Sequence, residues 1–223
     1  MEILRTHVYG FQMALEGMRN PKESWHLSDS KFGPVEATDG EMVLPWETIG
    51  MSCPEAPRIG PADLKLATKL IRGGSEHRKF LRQIMVWVTW VLPRYVHTEC
   101  DTYKVATVRN SCSTMHKLGH RDLTPEDFAG GIVVPQALME LNILGKQYRS
   151  EKNYEAVRMM KRLLPEGFLQ RATMTFSYET LLAMHSQRKN HRLPEWSGEG
   201  GICEWIRSLP YMAKFIEASE QIK

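Results

Sequence analysis

The spacing of apolar residues divides the chain into helical and extended segments. Apolar residues that recur every three or four positions, as at Leu64, Ala67 and Ile71, place one apolar stripe along a helix. Pro61 before them and Gly73 after them are typical helix boundaries. Helices are predicted at 61–72, 135–149, 153–164, 179–187 and 202–219 (with a break at Pro210), together with a short helix ending near Gly17 and a helix start at 124–127.

Extended segments are fewer. The segment 82–92 is β-branched, aromatic and apolar at successive positions, which predicts a central strand covered on both faces of its sheet. Weaker patterns predict strands at 3–9 and 171–177. Two or three strands among mostly helical segments predict an α+β protein, and we expect one domain over residues 1–223.

Residues 20–60 lack a regular apolar repeat and are rich in Pro, Gly, Ser and Asp. A stretch of this length within a compact protein is usually a functional loop or lid, or is simply mobile. We therefore predict a long loop region at 20–60.

The composition mainly excludes certain classes of protein and partner. The 42% hydrophobic and 25% charged residues exclude a disordered tail, a collagen and a coiled coil. The net charge of +3 gives no reason to expect duplex nucleic acid, but a few Arg and Lys residues could bind a small anion. The apolar segment 84–92 is far shorter than the about 20 residues of a membrane helix, so no membrane partner is expected.

The compartment is predicted from two further features. The first residues lack the charged-then-apolar layout of a signal peptide. The 4 cysteines are scattered, which favours reduced thiols over a disulfide framework. We therefore predict a cytoplasmic protein.

Common cofactor and metal motifs do not occur in the sequence. There is no G-x-G-x-x-G after a strand, no Walker loop, no H-E-x-x-H and no G-x-S-x-G elbow. His116 and His120 form the one histidine pair at i,i+4 spacing, and Cys112 is the one suitable ligand near them. We predict no metal site.

The segment 101–117 carries most of the candidate chemistry. Lys104, Arg109 and Lys117 are cations suited to phosphate. Asn110, Ser111, Ser113 and Thr114 can form hydrogen bonds with a base, a ribose or a phosphate. A capped loop followed by a solvated helix explains the same residues, and the pattern alone does not decide between the two.

Three sequence blocks occur in the order seen in a known enzyme family. The first is 70–77 (Leu-Ile-Arg-Gly-Gly-Ser-Glu-His), followed by the strand and Leu92-Pro93. The second is the polar segment 101–117, and the third runs from Leu164-Pro165 through 175–179 (Thr-Phe-Ser-Tyr-Glu) to Arg188 and Glu195-Trp196. In this order and spacing the chain resembles the flavin-dependent thymidylate synthases, also called thymidylate synthase complementing proteins.

The resemblance implies a fold and a chemistry. The fold is a central, mostly antiparallel sheet flanked by helices, and the enzymes are homotetramers that bind FAD and a pyrimidine deoxynucleotide monophosphate. A one-carbon unit passes from methylenetetrahydrofolate to C5 of dUMP, reduced flavin supplies the hydride, and a nicotinamide cofactor can reduce the flavin. Because the cofactors carry the difficult steps, no catalytic residue is assigned.

The resemblance also assigns site residues. The expected cofactor contacts are Arg19, Asn20, Ser24, Ser75, His77, Lys104 and Asn110. The expected substrate contacts are Ser111, Ser113, His116, Lys161, Arg162, Arg171 and Arg188.

The chain departs from the family pattern at charged positions. The R-H-R motif is absent, Ser111 replaces a Glu, and Glu179 replaces an Arg. A carboxylate in contact with a phosphate-bearing cofactor would repel it. Three alternatives therefore stay open: hydroxymethylation of dUMP or dCMP instead of dUMP methylation, a nucleotide-binding homologue without catalysis, and an unrelated helical interaction protein.

Overall fold

A computed structural model describes residues 1–33 and 51–221 of the chain. The central part of the predicted long loop, residues 34–50, lies outside the described residues. The strands are β1 (Glu2–Tyr9), β2 (Met51–Ser52), β3 (Met85–Pro93), β4 (Val108–Ser111) and β5 (Leu169–Ser177). The helices are α1 (Phe11–Arg19), α2 (Pro61–Arg72), α3 (Arg94–Cys100), α4 (Thr114–Lys117), α5 (Pro135–Glu151), α6 (Tyr154–Leu163), α7 (Tyr178–Arg188), α8 (Pro194–Ser197), α9 (Ile202–Ser208) and α10 (Met212–Glu220).

The strands form one five-stranded sheet in the order β2-β1-β3-β5-β4. The sheet includes a parallel pair, β1 with β2, in which Thr6 lies opposite Met51. The predicted α+β class is confirmed, and β3 is the central strand as expected. The estimate of two or three strands was too low, because β2 has two residues and β4 is mostly exposed and shows no apolar alternation.

Only one face of β3 is fully covered. Val86, Val88, Trp90 and Leu92 are completely buried, whereas the alternate residue Trp87 is 39% exposed. The prediction of two covered faces was therefore wrong. It failed because Met85, Trp87 and Val91 on the less covered face are also apolar, which hides the period of two in the sequence.

Two boundary predictions are corrected by local structure. Residues Lys79–Arg82 form a 3-10 turn, so β3 begins at Met85 and not at residue 82. The helix-start pattern at 124–127 is followed by two short turns, Pro125–Asp127 and Ala129–Gly131, because Gly130 takes a left-handed conformation with φ 63°. The predicted break at Pro210 is confirmed, since α9 ends at Ser208 and α10 begins at Met212.

The chain divides into two compact units that share the long strands. The first unit comprises Met1–Ile3, Thr89–Thr102 and Arg109–Thr173, and the second comprises Leu4–Val88, Tyr103–Val108 and Met174–Lys223. The prediction of a single domain stays a prediction. None of the described helices combines the length and the apolar composition that crossing a membrane requires.

Each unit has its own buried cluster. In the first unit, α5 and α6 pack with Leu123 and Phe128, and Leu141 and Met160 are completely buried. In the second unit, the Tyr178 ring lies edge-on to Phe11 at a centroid distance of 5.4 Å, and its hydroxyl donates to the Pro210 carbonyl over 2.9 Å. Tyr178 at the start of α7 thus connects the start of α1 to the segment between α9 and α10.

A glycine fixes the turn from β1 into α1. Gly10 has φ 98°, a conformation that other residues rarely adopt, and a Cβ atom there would lie 2.3 Å from the Gln83 carbonyl oxygen. The Glu55 carboxylate accepts from the Gly10 and Phe11 backbone N–H groups. The start of α1 is therefore anchored.

Candidate functional site

A cavity of about 830 Å³ in the second unit is the first candidate site. The end of α1, residues 20–27, one face of α2 and residues 76–83 supply its lining. Leu66, Leu70 and Phe80 give it an apolar wall, and Lys22, Lys65, Lys69 and Lys79 give it cationic groups. A cavity of this size and mixed lining is typical of sites for organic ligands.

Four of the predicted cofactor residues come together in this cavity. Arg19, Asn20, Ser24 and His77 all line it. Ser75 lies in the same turn as His77 but is not among the lining residues, and its carbonyl accepts from Arg82. The first residues of the predicted loop, within 20–27, therefore contribute to the site.

Asn20 and His77 are held by local contacts. The Asn20 side-chain oxygen accepts from the Trp25 indole N–H over 2.6 Å. The His77 ring packs so closely against the end of α2 that a Cβ atom at Gly73 would lie 2.9 Å from it. The glycine that ends α2 thus also makes room for His77.

Arg19 is committed to a buried ion pair. Its Nε donates to Asp63 over 2.6 Å, its side chain is 4% exposed and that of Asp63 is 0% exposed. A second guanidinium nitrogen donates to the Ser24 carbonyl over 3.2 Å. We therefore interpret Arg19 as a residue that fixes the cavity wall.

Asp63 accepts hydrogen bonds from residues 28–30, which follow the cavity-lining residues of 20–27 in the chain. Its carboxylate accepts from the hydroxyls of Ser28 and Ser30 over 2.7 and 2.6 Å, and from the Ser30 backbone N–H over 3.1 Å. Burial alone raises the pKa of Asp63, but hydrogen bonds from Ser30, Ser28 and Arg19 outweigh burial and lower it. Asp63 is thus held as a carboxylate.

Asp29 completes this junction by capping α2. Its carboxylate accepts from the backbone N–H groups of Ala62 and Asp63 over 2.8 and 3.0 Å. The two aspartates therefore bind residues 28–30 to the first turn of α2, where unpaired N–H groups need acceptors.

The first unit contains a smaller cavity, of about 430 Å³. Two predicted substrate residues, Ser113 and Arg171, line it together with Lys117 and Arg121. Ser113 caps α4 by accepting from the His116 backbone N–H over 3.2 Å. Ser111 and His116 are its neighbours in the chain but do not line the cavity.

Arg188 lies in an aromatic clamp in the second unit. Its guanidinium carbon is 5.0 Å from the Trp196 ring centroid and 5.9 Å from that of Tyr103. Its Nε donates to the Tyr103 hydroxyl over 3.1 Å, and a terminal nitrogen lies 2.9 Å from His191 Nε2. The planar cation is therefore held in a fixed orientation.

The remaining predicted residues lie apart from both cavities. Lys104 is exposed in the loop before β4, and Asn110 is exposed on β4. Lys161 and Arg162 are exposed in the last turn of α6. The structure thus places four cofactor residues in the cavity of the second unit and two substrate residues in the cavity of the first unit, and it leaves these four on the surface.

Glu179, which replaces a family arginine, has a cationic partner. Its carboxylate lies 3.0 Å from the Nε of Arg78, and the two side chains are 16% and 15% exposed. The negative charge that the sequence placed near a phosphate-bearing cofactor is therefore offset by the residue next to His77.

We expect the Arg78–Glu179 pair to show a coupling free energy of about 1–2 kcal/mol, because both side chains are largely shielded from water. A double-mutant cycle with Arg78→Gln and Glu179→Gln, measured by urea unfolding, tests this. The exposed pair Arg158–Glu155, with 57% and 67% exposure, is the matched control and should give at most about 0.5 kcal/mol. Equal coupling free energies in the two pairs would show that shielding from water does not strengthen the Arg78–Glu179 pair.

Comparisons with known proteins show which class of fold this is. No protein-family model and no curated protein sequence matches the chain. Solved structures do match, and they have the α+β fold of flavin-dependent thymidylate synthases. At 14% sequence identity, this similarity shows the fold alone.

Two of these structures are of ThyX from Helicobacter pylori with FAD and dUMP. The first has a TM-score of 0.66 and covers 100% of this chain and 99% of that chain. The second has a TM-score of 0.67 and covers 99% of this chain and 100% of that chain. The shared fold therefore extends over the whole length.

Several residues of these sites were not predicted from the sequence. Lys65 and Lys69 gave a weak signal, since they lie four positions apart on the polar face of α2. The partners of Asp63 at 28–30 lie more than 30 positions away in the chain, and the partnership of Arg78 with Glu179 spans 101 positions. Such a separation leaves no local pattern to detect.

Proposed function

We propose that this chain is a divergent flavin-dependent enzyme that transfers a one-carbon unit to C5 of a pyrimidine deoxynucleotide. The reaction is methylation of dUMP to dTMP, or hydroxymethylation of dUMP or dCMP. The observation that carries the proposal is the fold similarity to ThyX with FAD and dUMP over the whole chain. The convergence of four predicted flavin contacts in one cavity supports it.

The residues of the large cavity fit FAD. Its apolar wall suits a planar aromatic ring, and its lysines suit a pyrophosphate. Asn20, Ser24 and His77 supply polar groups that can orient a ring or a ribose. When bound, FAD would supply the hydride chemistry, with methylenetetrahydrofolate as carbon donor and a nicotinamide cofactor as the candidate reductant.

The protein's own contribution is binding and orientation. In this proposal Arg188 binds the nucleotide, because its clamped guanidinium is a planar cation held in a fixed orientation. Ser113 and Arg171 form a second polar set suited to an anionic group. Ser111, His116, Lys161 and Arg162 are retained as candidate substrate contacts, and Ser75, Lys104 and Asn110 as candidate cofactor contacts.

The assembly and the compartment are part of the same proposal. In the resembled family, FAD and nucleotide sites are shared between subunits of a homotetramer. Residues that are exposed in one chain, such as Lys161 and Asn110, would then reach a site formed with a second copy. We propose a cytoplasmic homotetramer on this basis.

Absorption spectroscopy tests the cofactor directly. We expect purified protein, or protein mixed with FAD and then desalted, to show a flavin band in the visible range. Turnover is then measured with dUMP or dCMP, methylenetetrahydrofolate and a reductant, and the product is identified by mass. Protein that retains no flavin would contradict the proposal.

A second function is favoured by the altered charges. With the R-H-R motif absent and Ser111 in place of a Glu, the chain could bind a nucleotide without catalysis. In that case the protein is colourless, and nucleotide at a hundredfold excess over Kd stabilises it by about 2.7 kcal/mol. Nucleotide-dependent thermal stabilisation without a flavin band would support this alternative.

A further inference from the structure

Four lysines line the large cavity from three parts of the second unit. Lys65 and Lys69 lie one helical turn apart on α2, so their Cβ atoms are neighbours on one face. Lys22 comes from the turn after α1, and Lys79 from the turn before β3. Separate segments therefore present like charges to one space.

Ion pairing among the described residues does not account for this cluster. Within residues 1–33 and 51–221, the structure shows no ion pair between any of the four ammonium groups and a carboxylate. Like charges four positions apart on a helix destabilise it slightly. The cluster is thus a small cost to folding that a bound anion would offset.

The other charges of the cavity leave this excess in place. Arg19 is neutralised by Asp63 and adds no net charge. Among the described lining residues, Glu76 is the one carboxylate whose charge opposes the lysines. The cavity therefore has a net positive lining, which raises the local concentration of an anionic ligand.

We propose that Lys22, Lys65, Lys69 and Lys79 bind the pyrophosphate of FAD. This inference rests on the proposed function. Lysine ammonium groups act as point charges on phosphate oxygens, and the pyrophosphate of FAD would bring two negative charges into this positively charged lining.

Flavins with different phosphate content test the proposal. Dissociation constants of FAD and riboflavin are measured by flavin fluorescence for the wild-type chain and for Lys65→Gln/Lys69→Gln. We expect FAD to bind about 30-fold more weakly to the variant, and riboflavin to change less than about twofold. Added salt should weaken FAD binding to the wild-type chain and leave riboflavin binding nearly unchanged.

The control is Lys146→Gln on α5, an exposed lysine of the first unit, which should leave both constants unchanged. Circular dichroism and the Tm verify that each variant is folded, and the salt series on the wild-type chain needs no variant at all. The inference would be overturned if the double variant bound FAD as tightly as the wild-type chain and if salt did not change the dissociation constant of FAD for the wild-type chain. The proposed function would then still stand. A wild-type chain that binds neither flavin would overturn both.

Discussion

Replacing Asp63 by alanine is expected to lower the free energy of unfolding by about 3–5 kcal/mol. The change leaves the Arg19 guanidinium buried without its counter-charge, and it removes the acceptor of the Ser28 and Ser30 hydroxyls. An uncompensated buried charge costs more than the ion pair contributes, which is why the effect is large.

Urea unfolding of the variant and the wild-type chain measures this loss. Asp122→Ala is the matched control, because Asp122 forms an ion pair with Arg149 at the surface, where Asp122 is 49% exposed. The control should cost at most about 1 kcal/mol. A loss for Asp63→Ala no larger than that of the control would show that the pair is not buried as described.

The same residue gives the stability a defined pH dependence. Because the pKa of Asp63 is lowered in the folded chain, its contribution is complete above the unfolded value of 3.8 and is lost as the pH falls through the folded value. The difference between wild type and Asp63→Ala should therefore be constant near neutral pH and shrink below about pH 4. A constant difference across the acid range would contradict the lowered pKa.

The elements that sequence reasoning located well are those with local boundary signals. Helix α2 begins at Pro61 and ends before Gly73 as predicted, since proline favours the first helical turn and the glycine closes the last. Apolar residues at three- and four-residue spacing in α2 and α6 also indicate the buried face of each helix. These signals act within a few residues of the chain, so the sequence contains them in full.

The elements that were missed depend on partners distant in sequence. Helix α3 was not predicted, and its first two N–H groups donate to the carbonyls of Phe168 and Glu166. Strand β4 is mostly exposed and is a strand only because it lies beside β5 at the sheet edge. Neither arrangement has a period or a cap that could be detected in one segment.

The candidate site was predicted only in part, because its charge balance also depends on partners that are distant in sequence. The resemblance located Arg19, Asn20, Ser24 and His77, which the fold brings to one cavity. It did not show that the Arg19 charge is used internally by Asp63, or that Arg78 offsets Glu179. Charge balance depends on which groups meet in space, and a motif describes only which residues are present.

Arg188→Ala is expected to weaken binding of dUMP by about 100-fold. In the proposed function the clamped guanidinium donates charge-assisted hydrogen bonds to the nucleotide, and each such bond contributes about 1.5–3 kcal/mol. The loss of stacking on Tyr103 and Trp196 costs the fold only about 0.5–1 kcal/mol per contact, so the variant should still fold. Isothermal titration calorimetry with dUMP and dCMP measures the change in affinity, and thermal unfolding measures the change in stability.

Two further variants separate a binding role of Arg188 from a structural one. Arg188→Lys keeps the charge but loses the planar fork, so it should restore part of the stability and little of the affinity. Arg192→Ala removes an exposed arginine four residues away and should leave nucleotide binding unchanged. If Arg188→Ala lowers the Tm while nucleotide affinity stays at the wild-type value, the clamp is structural and the nucleotide binds elsewhere.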